Sequence, residues 1–145
     1  MKSEQVRELI NGRFPGIVMT VPRERRIMVF IPLERLIELL KFLRDQGLTH
    51  ISTISVVDRF EEKVFEVLYH LYWERNEITI RIEIPRENPV VPTVAPVLPG
   101  ALTYEREIQD MFGIKVEYIT DSRRILLPDD WPQGEHPLRK DYVVK

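Results

Sequence analysis

Cysteine is absent from the 145-residue chain. That removes disulfides, thiolate nucleophiles, iron–sulfur ligation and cysteine-rich zinc sites together. Glycine is scarce, six residues with no cluster, so no loop of main-chain N–H groups is set to cradle a phosphate. Charge of one sign is not in excess: 21 basic and 23 acidic side chains leave a net charge of −2. No field of one sign is large enough to suggest nucleic acid as the main partner. No signal peptide and no apolar run of ~18 residues occurs, so the chain reads as soluble and cytosolic, with any membrane association indirect. Asparagine and glutamine number only seven while charged residues reach 30%, which leans toward a thermophilic source.

A chain of this length buries roughly 68–70% of its unfolded surface as one domain, and 43% hydrophobic residues suffice for a core. Ser3 is placed to cap a helix carrying Val6, Leu9 and Ile10, with Asn11-Gly12 as its stop. Residues 16–21 and 27–31 read as a hairpin around the basic turn 22–26. Pro32 suits the first turn of a helix whose Leu33, Leu36, Ile37, Leu40 and Leu43 form one stripe before Gly47. Residues 49–57, 64–73 and 78–84 read as three strands of an antiparallel meander, the last alternating Ile-Thr-Ile-Arg-Ile-Glu-Ile. The order α-β-β-α-β-β-β predicts an α+β, two-layer sandwich with a mixed or antiparallel sheet, followed by a short helix and an extended C-terminal arm.

Five prolines between 85 and 99 predict an ordered loop without a regular element, closing a core region of residues 1–100. In residues 101–145, Thr103 is placed to cap a helix with Tyr104, Ile108, Met111 and Phe112 on one face and Gly113 as its stop. Beyond Val116 charged residues, aromatics and prolines alternate with no period, so this segment has little reason to fold on itself. It has the anchors to lie along another protein: Phe112, Leu126, Trp131, Leu138 and Tyr142.

Asp110 falls in the last helical turn, where the macrodipole disfavours an anion, and Arg123-Arg124 is the expected partner for it. Glu105, Glu107 and Asp110 also suggest a stand-alone hydrolase, a weak reading because no nucleophile accompanies them. Ser52, Ser55 and Ser122 lack a nearby His–Asp setting. Asp129-Asp130 is ordinary turn chemistry rather than a metal pair, and His50, His70 and His136 lack zinc spacing. His70 reads as a half-buried, hydrogen-bonded strand residue. A nucleic-acid-binding module, the third possibility, would need a basic face that the sequence does not display.

Three blocks carry a family resemblance: YEREIQDMFGI at 104–114, RRILLPDDW at 123–131 and HPLRKDY at 136–142. Together with the strand FEVLYHL at 65–71 and the loop PVVPTV at 89–94, they resemble the thirty-kilodalton subunit of respiratory complex I. The homologous subunit of energy-converting membrane-bound [NiFe]-hydrogenases shares them. The resemblance implies a peripheral subunit with no redox centre of its own, on the cytoplasmic side of the membrane. Fe–S clusters, NiFe centre or quinone would belong to partner subunits. Such a subunit would pack on the large NiFe-hydrogenase-like or 49 kDa-type subunit, beside Fe–S subunits. The residues it implicates in that contact are Glu105, Arg106, Asp110, Phe112, Arg123, Arg124, Leu126, Asp129, Trp131, Pro137, Leu138, Arg139, Lys140, Asp141 and Tyr142. Residues 117–122 stand where relatives often have Gly-His-Pro, and the short front end suggests an archaeal or hydrogenase-type complex.

Overall fold

The alternation at residues 78–84 decides the architecture. A computed structural model describes residues 1–144, and in it Ile78, Ile80, Ile82 and Ile84 are all sealed on one face of strand β5 (Asn76–Pro85). Neighbouring strands put their own apolar residues on that face: Ile27 and Val29 from β2 (Arg26–Phe30), and Phe65, Val67, Tyr69 and Leu71 from β4 (Val64–Trp73). The opposite face keeps Tyr72 and Glu83 exposed and Glu77 and Arg81 half-buried. A sheet with one dry and one wet face needs a single covering layer. Helices supply it.

Five strands form the sheet in the order β1-β2-β5-β4-β3, with β1 spanning Val18–Arg23 and β3 His50–Arg59. The β1–β2, β3–β4 and β4–β5 pairs are antiparallel and β2–β5 is parallel, so the sheet is mixed. The expected meander and the expected hairpin both form, and β5 inserts beside β2. Pro22 lies within β1, tolerated because that strand is an edge and its missing N–H interrupts no ladder. The hairpin turn narrows to Glu24-Arg25, with Arg25 left-handed at φ 72°.

Helix α1 (Ser3–Arg13) buries Val6 and Ile10, and helix α2 (Leu36–Asp45) buries Leu36, Leu39, Leu40 and Leu43, in one continuous core. A short 3₁₀ turn at Leu33–Arg35 precedes α2. Ser3 does not cap α1. It is buried inside the first turn, where its hydroxyl donates to Asn76 Oδ1 (2.9 Å) and accepts the Arg25 N–H (2.6 Å). Gln5 Oε1 instead accepts the Lys2 N–H at 2.7 Å. Asn11-Gly12 does not stop the helix, because neither residue adopts a left-handed conformation there; Gly16, at φ 87°, lies beyond the real end.

The proline-rich loop contains a strand after all. Strand β6 (Val90–Pro92) pairs in parallel with β7 (Lys115–Glu117). Pro92 fits because only three residues pair. Helix α3 (Ala101–Phe112) starts two residues before the expected cap, so Thr103 lies inside it and Gly100 holds the cap position. Ala101 and Ile108 of α3 join the core. No regular element follows β7 among the described residues.

Candidate partner interface

Helix α3 faces the core with two carboxylates as well as apolar residues. Glu105 is 0% exposed. Thr93 Oγ1 donates to its Oε1 at 2.6 Å and the Val94 N–H to its Oε2 at 2.8 Å. Burial raises the Glu105 pKa, and those two donors oppose the rise. The hydroxyl of Tyr69 is sealed in the core without a protein hydrogen-bond partner; burial, then the Glu105 charge, push its pKa up. Glu105 thus ties α3 to the segment after β6. A fully buried group has no surface for a neighbour, which corrects its expected place in the contact.

Asp110 is 6% exposed, and its partner is not Arg123 or Arg124. Its Oδ2 accepts the main-chain N–H groups of Ile125, Leu126 and Leu127 at 3.0, 2.8 and 3.2 Å. Four residues earlier on α3, Arg106 donates to the carbonyls of Arg123 (2.8 Å) and Arg124 (3.2 Å) and lies 3.7 Å from Asp121. The first stretch of the arm therefore runs along α3, held through its carbonyls and then through its N–H groups. Arg123 is highly exposed and pairs with Asp121 at 2.8 Å, which holds that carboxyl far below the usual range. Arg124 donates to the carbonyls of Pro128 (2.8 Å) and Asp129 (3.2 Å), rigidifying the turn that follows.

The C-terminal end of α3 holds the rest of the arm. Gly113 takes a left-handed φ of 73°, and a Cβ there would meet the His136 ring at 2.5 Å. His136 Nδ1 donates to the Asp110 carbonyl (2.9 Å), and the Leu138 N–H to the Met111 carbonyl (3.0 Å). Arg139 reaches the Phe112 carbonyl at 3.4 Å. Carbonyls of a last helical turn lack partners within the helix, and a cation beside them is favourable. Phe112 turns inward, edge-on to Phe65 with centroids 6.0 Å apart.

A second clamp fastens the arm's end to the sheet. Arg86, 8% exposed, grips Asp58 of β3 in a fork, Nε to Oδ1 at 2.6 Å and Nη2 to Oδ2 at 2.8 Å. The same Nη2 reaches Asp141 Oδ1 at 3.1 Å, and Asp58 Oδ2 also accepts the Lys140 N–H at 2.8 Å. The Arg86 guanidinium holds both carboxyls below their ordinary values. Trp131 stacks on Tyr142 at 6.3 Å and donates its indole N–H to the Glu135 carbonyl. Pro137 is half-buried, and the Lys140 side chain and Asp129 are exposed.

These ties leave apolar side chains outside. Ile125, Leu126 and Leu138 are 36, 53 and 57% exposed. Tyr118, just past β7, is left-handed at φ 63° and directed into solvent. The sequence pointed to Leu126 and Leu138 and passed over Asp58 and Arg86. One signal was available: Asp58 continues the inward alternation of Ile54 and Val56, where an acid needs a partner. Ser55 does have a histidine neighbour, Oγ to His70 Nε2 at 2.7 Å, but the group on Nδ1 is Thr79 (3.2 Å) rather than an acid.

The family model of the respiratory-chain NADH dehydrogenase, 30 Kd subunit, matches residues 29–145. Membrane-bound hydrogenase subunit beta of Pyrococcus furiosus is 35% identical over 97% of this chain and 86% of its own length. Formate hydrogenlyase subunit 5 of Escherichia coli is 34% identical over 91% of this chain, which spans only 24% of that longer protein. Among solved structures, a chain of the membrane-bound sulfane sulfur reductase, an archaeal respiratory membrane complex, superposes with a TM-score of 0.88. Its identity is 28%, with 97% of this chain and 85% of that chain covered. The match over residues 29–145 takes in β3, β4, β5, α3 and the arm together, and the chain belongs to the family of the 30 Kd subunit of the respiratory-chain NADH dehydrogenase.

Proposed function

We propose that this chain is a peripheral, non-catalytic subunit of an ion-translocating oxidoreductase of the complex I or membrane-bound hydrogenase type. Its task is to pack on and support the large catalytic subunit, NiFe-hydrogenase-like or of the 49 kDa type, beside Fe–S subunits. Redox centres and quinone belong to those neighbours. The complex holds this chain on the cytoplasmic side of the membrane; no helix among the described residues is long and apolar enough to cross one.

One observation carries the reading. The arm is fixed to its own domain by Asp110, Arg106, Asp58 and Arg86, yet Ile125, Leu126 and Leu138 remain turned to solvent. Ordering a chain costs roughly 1–2 kcal/mol per residue in backbone entropy. An ordered, non-periodic segment that leaves its apolar anchors bare suits a pre-shaped contact, in which that cost is met before binding. In formate hydrogenlyase subunit 5 the similar segment is 24% of a longer polypeptide, which supports a large neighbour for this chain.

Co-expression with a NiFe-hydrogenase-like or 49 kDa-type large subunit from the same organism, followed by purification in mild detergent, tests the proposal. A stable complex carrying this chain is the expected result. Purification of the two as separate species under the same conditions would refute it.

A further inference from the structure

The three N–H groups that meet Asp110 come from consecutive residues, 125 to 127, and converge on a single carboxylate oxygen. Consecutive N–H groups converge only when the backbone is concave, the geometry that binds anions wherever it occurs. The stretch belongs to no helix or strand, so no ladder orders it. Asp110 in turn sits in the last turn of α3, where the macrodipole opposes an anion. The contact thus answers two needs: an unfavourably placed carboxylate receives donors, and three otherwise unpaired donors receive a charge. Arg106, gripping the carbonyls of Arg123 and Arg124 just upstream, fixes where the concavity begins.

We infer that residues 125–127 form an anion-binding nest whose resident ligand is the Asp110 carboxylate. Asp110 is thereby a positioning residue: it shapes the backbone that presents Ile125 and Leu126, and it touches no partner itself. The positioning role rests on the proposed docking function; the nest does not. The ligand class is a carboxylate delivered at one oxygen, so an emptied nest accepts a free carboxylate small enough to enter, formate first.

The test uses the full chain carrying Asp110→Gly, with amide hydrogen exchange read at 125–127 and at the core of β4. Hydrogen bonds to a charged acceptor are strong enough that exchange at 125–127 accelerates by about ten- to a hundredfold. Formate restores protection saturably, while chloride at equal ionic strength does not. Asp110→Asn, which fills the nest with a neutral group, gives a smaller acceleration that formate does not reverse. Unchanged exchange at 125–127 in both variants overturns the nest, as does equal acceleration in β4. A glycine variant that stays unfolded in formate also overturns the positioning role, since Asp110 would then be part of what folds the domain. Binding of the large subunit is measured in parallel. Its recovery by Asp110→Gly with formate supports positioning, and binding unaltered by Asp110→Gly overturns it. Absence of binding by the unaltered chain would instead fail the docking function, with the exchange results unaffected.

Discussion

Asp58 is 5% exposed at the end of β3 and accepts three hydrogen bonds, two from Arg86 and one from the Lys140 N–H. Removing one partner of a buried pair strands the other charge, at a cost of about 3–5 kcal/mol. Arg86→Ala should therefore destabilise the isolated chain by about 3 kcal/mol in urea unfolding; a change below about 1 kcal/mol would place the pair among weak surface contacts. The same pair sets a pH dependence. Arg86 lowers the Asp58 pKa in the folded chain, and Asp141 shifts the same way. Their contribution is present above the ordinary aspartate value of 3.8 and is lost as pH falls through the lowered values. Glu105, raised by burial, acts oppositely: its contribution is full below 4.5 and is lost as pH rises through its folded value. Asp58→Asn should accordingly flatten the acid limb of the stability curve, measured by urea unfolding from about pH 2 to 6. A limb as steep as in the unaltered chain would refute the assignment.

At the level of elements, the stop of α3 is the best-determined feature. Gly113 combines a left-handed φ with direct contact to the His136 ring, so two separate constraints exclude a side chain. Gly113→Ala should cost about 1–2 kcal/mol. Adding His136→Ala should recover the steric part and leave the backbone part. A double variant no more stable than the single one would show that the ring contact does not matter. Periodicity made α2, α3 and the five sheet strands legible, and the Ile-Thr-Ile-Arg alternation of β5 named its buried face correctly. The three-residue strands β6 and β7 were not legible, because three residues are too few to carry a period, and Pro89 precedes the first of them while Pro92 ends it. The Asp110 contact was half legible. Its place in the last helical turn signalled a need for donors, but the donors are main-chain N–H groups, and these are alike at every position of a sequence. A side-chain partner, Arg123-Arg124, was the only kind that reading could name.

For the whole molecule, the parallel β2–β5 pairing brings the hairpin and the meander into one sheet and leaves a single dry face for α1, α2 and α3. Short turns disclose which consecutive strands pair; a contact between strands separated by α2, β3 and β4 leaves no local trace. The arm is where sequence and structure differ most usefully. Its lack of period correctly marks a segment with no ladder of its own. The buried residues that fasten it, Asp58 and Arg86, lie far away in sequence and look like ordinary strand-end charges. Glu105 and Phe112 turn inward for the same domain, while Leu126 and Leu138 face out.

Those two leucines give the most direct test of a pre-shaped docking surface. In the double variant Leu126→Asp/Leu138→Asp, the changed side chains are more than half exposed, so the melting temperature of the isolated chain should stay within a few degrees. Affinity for the large subunit, measured by titration against the unaltered chain, should fall by about a hundredfold or more, as for anchors at the centre of an interface. Undiminished affinity in a variant of unchanged melting temperature would contradict the account, for the arm's exposed leucines would then not be where the neighbour binds.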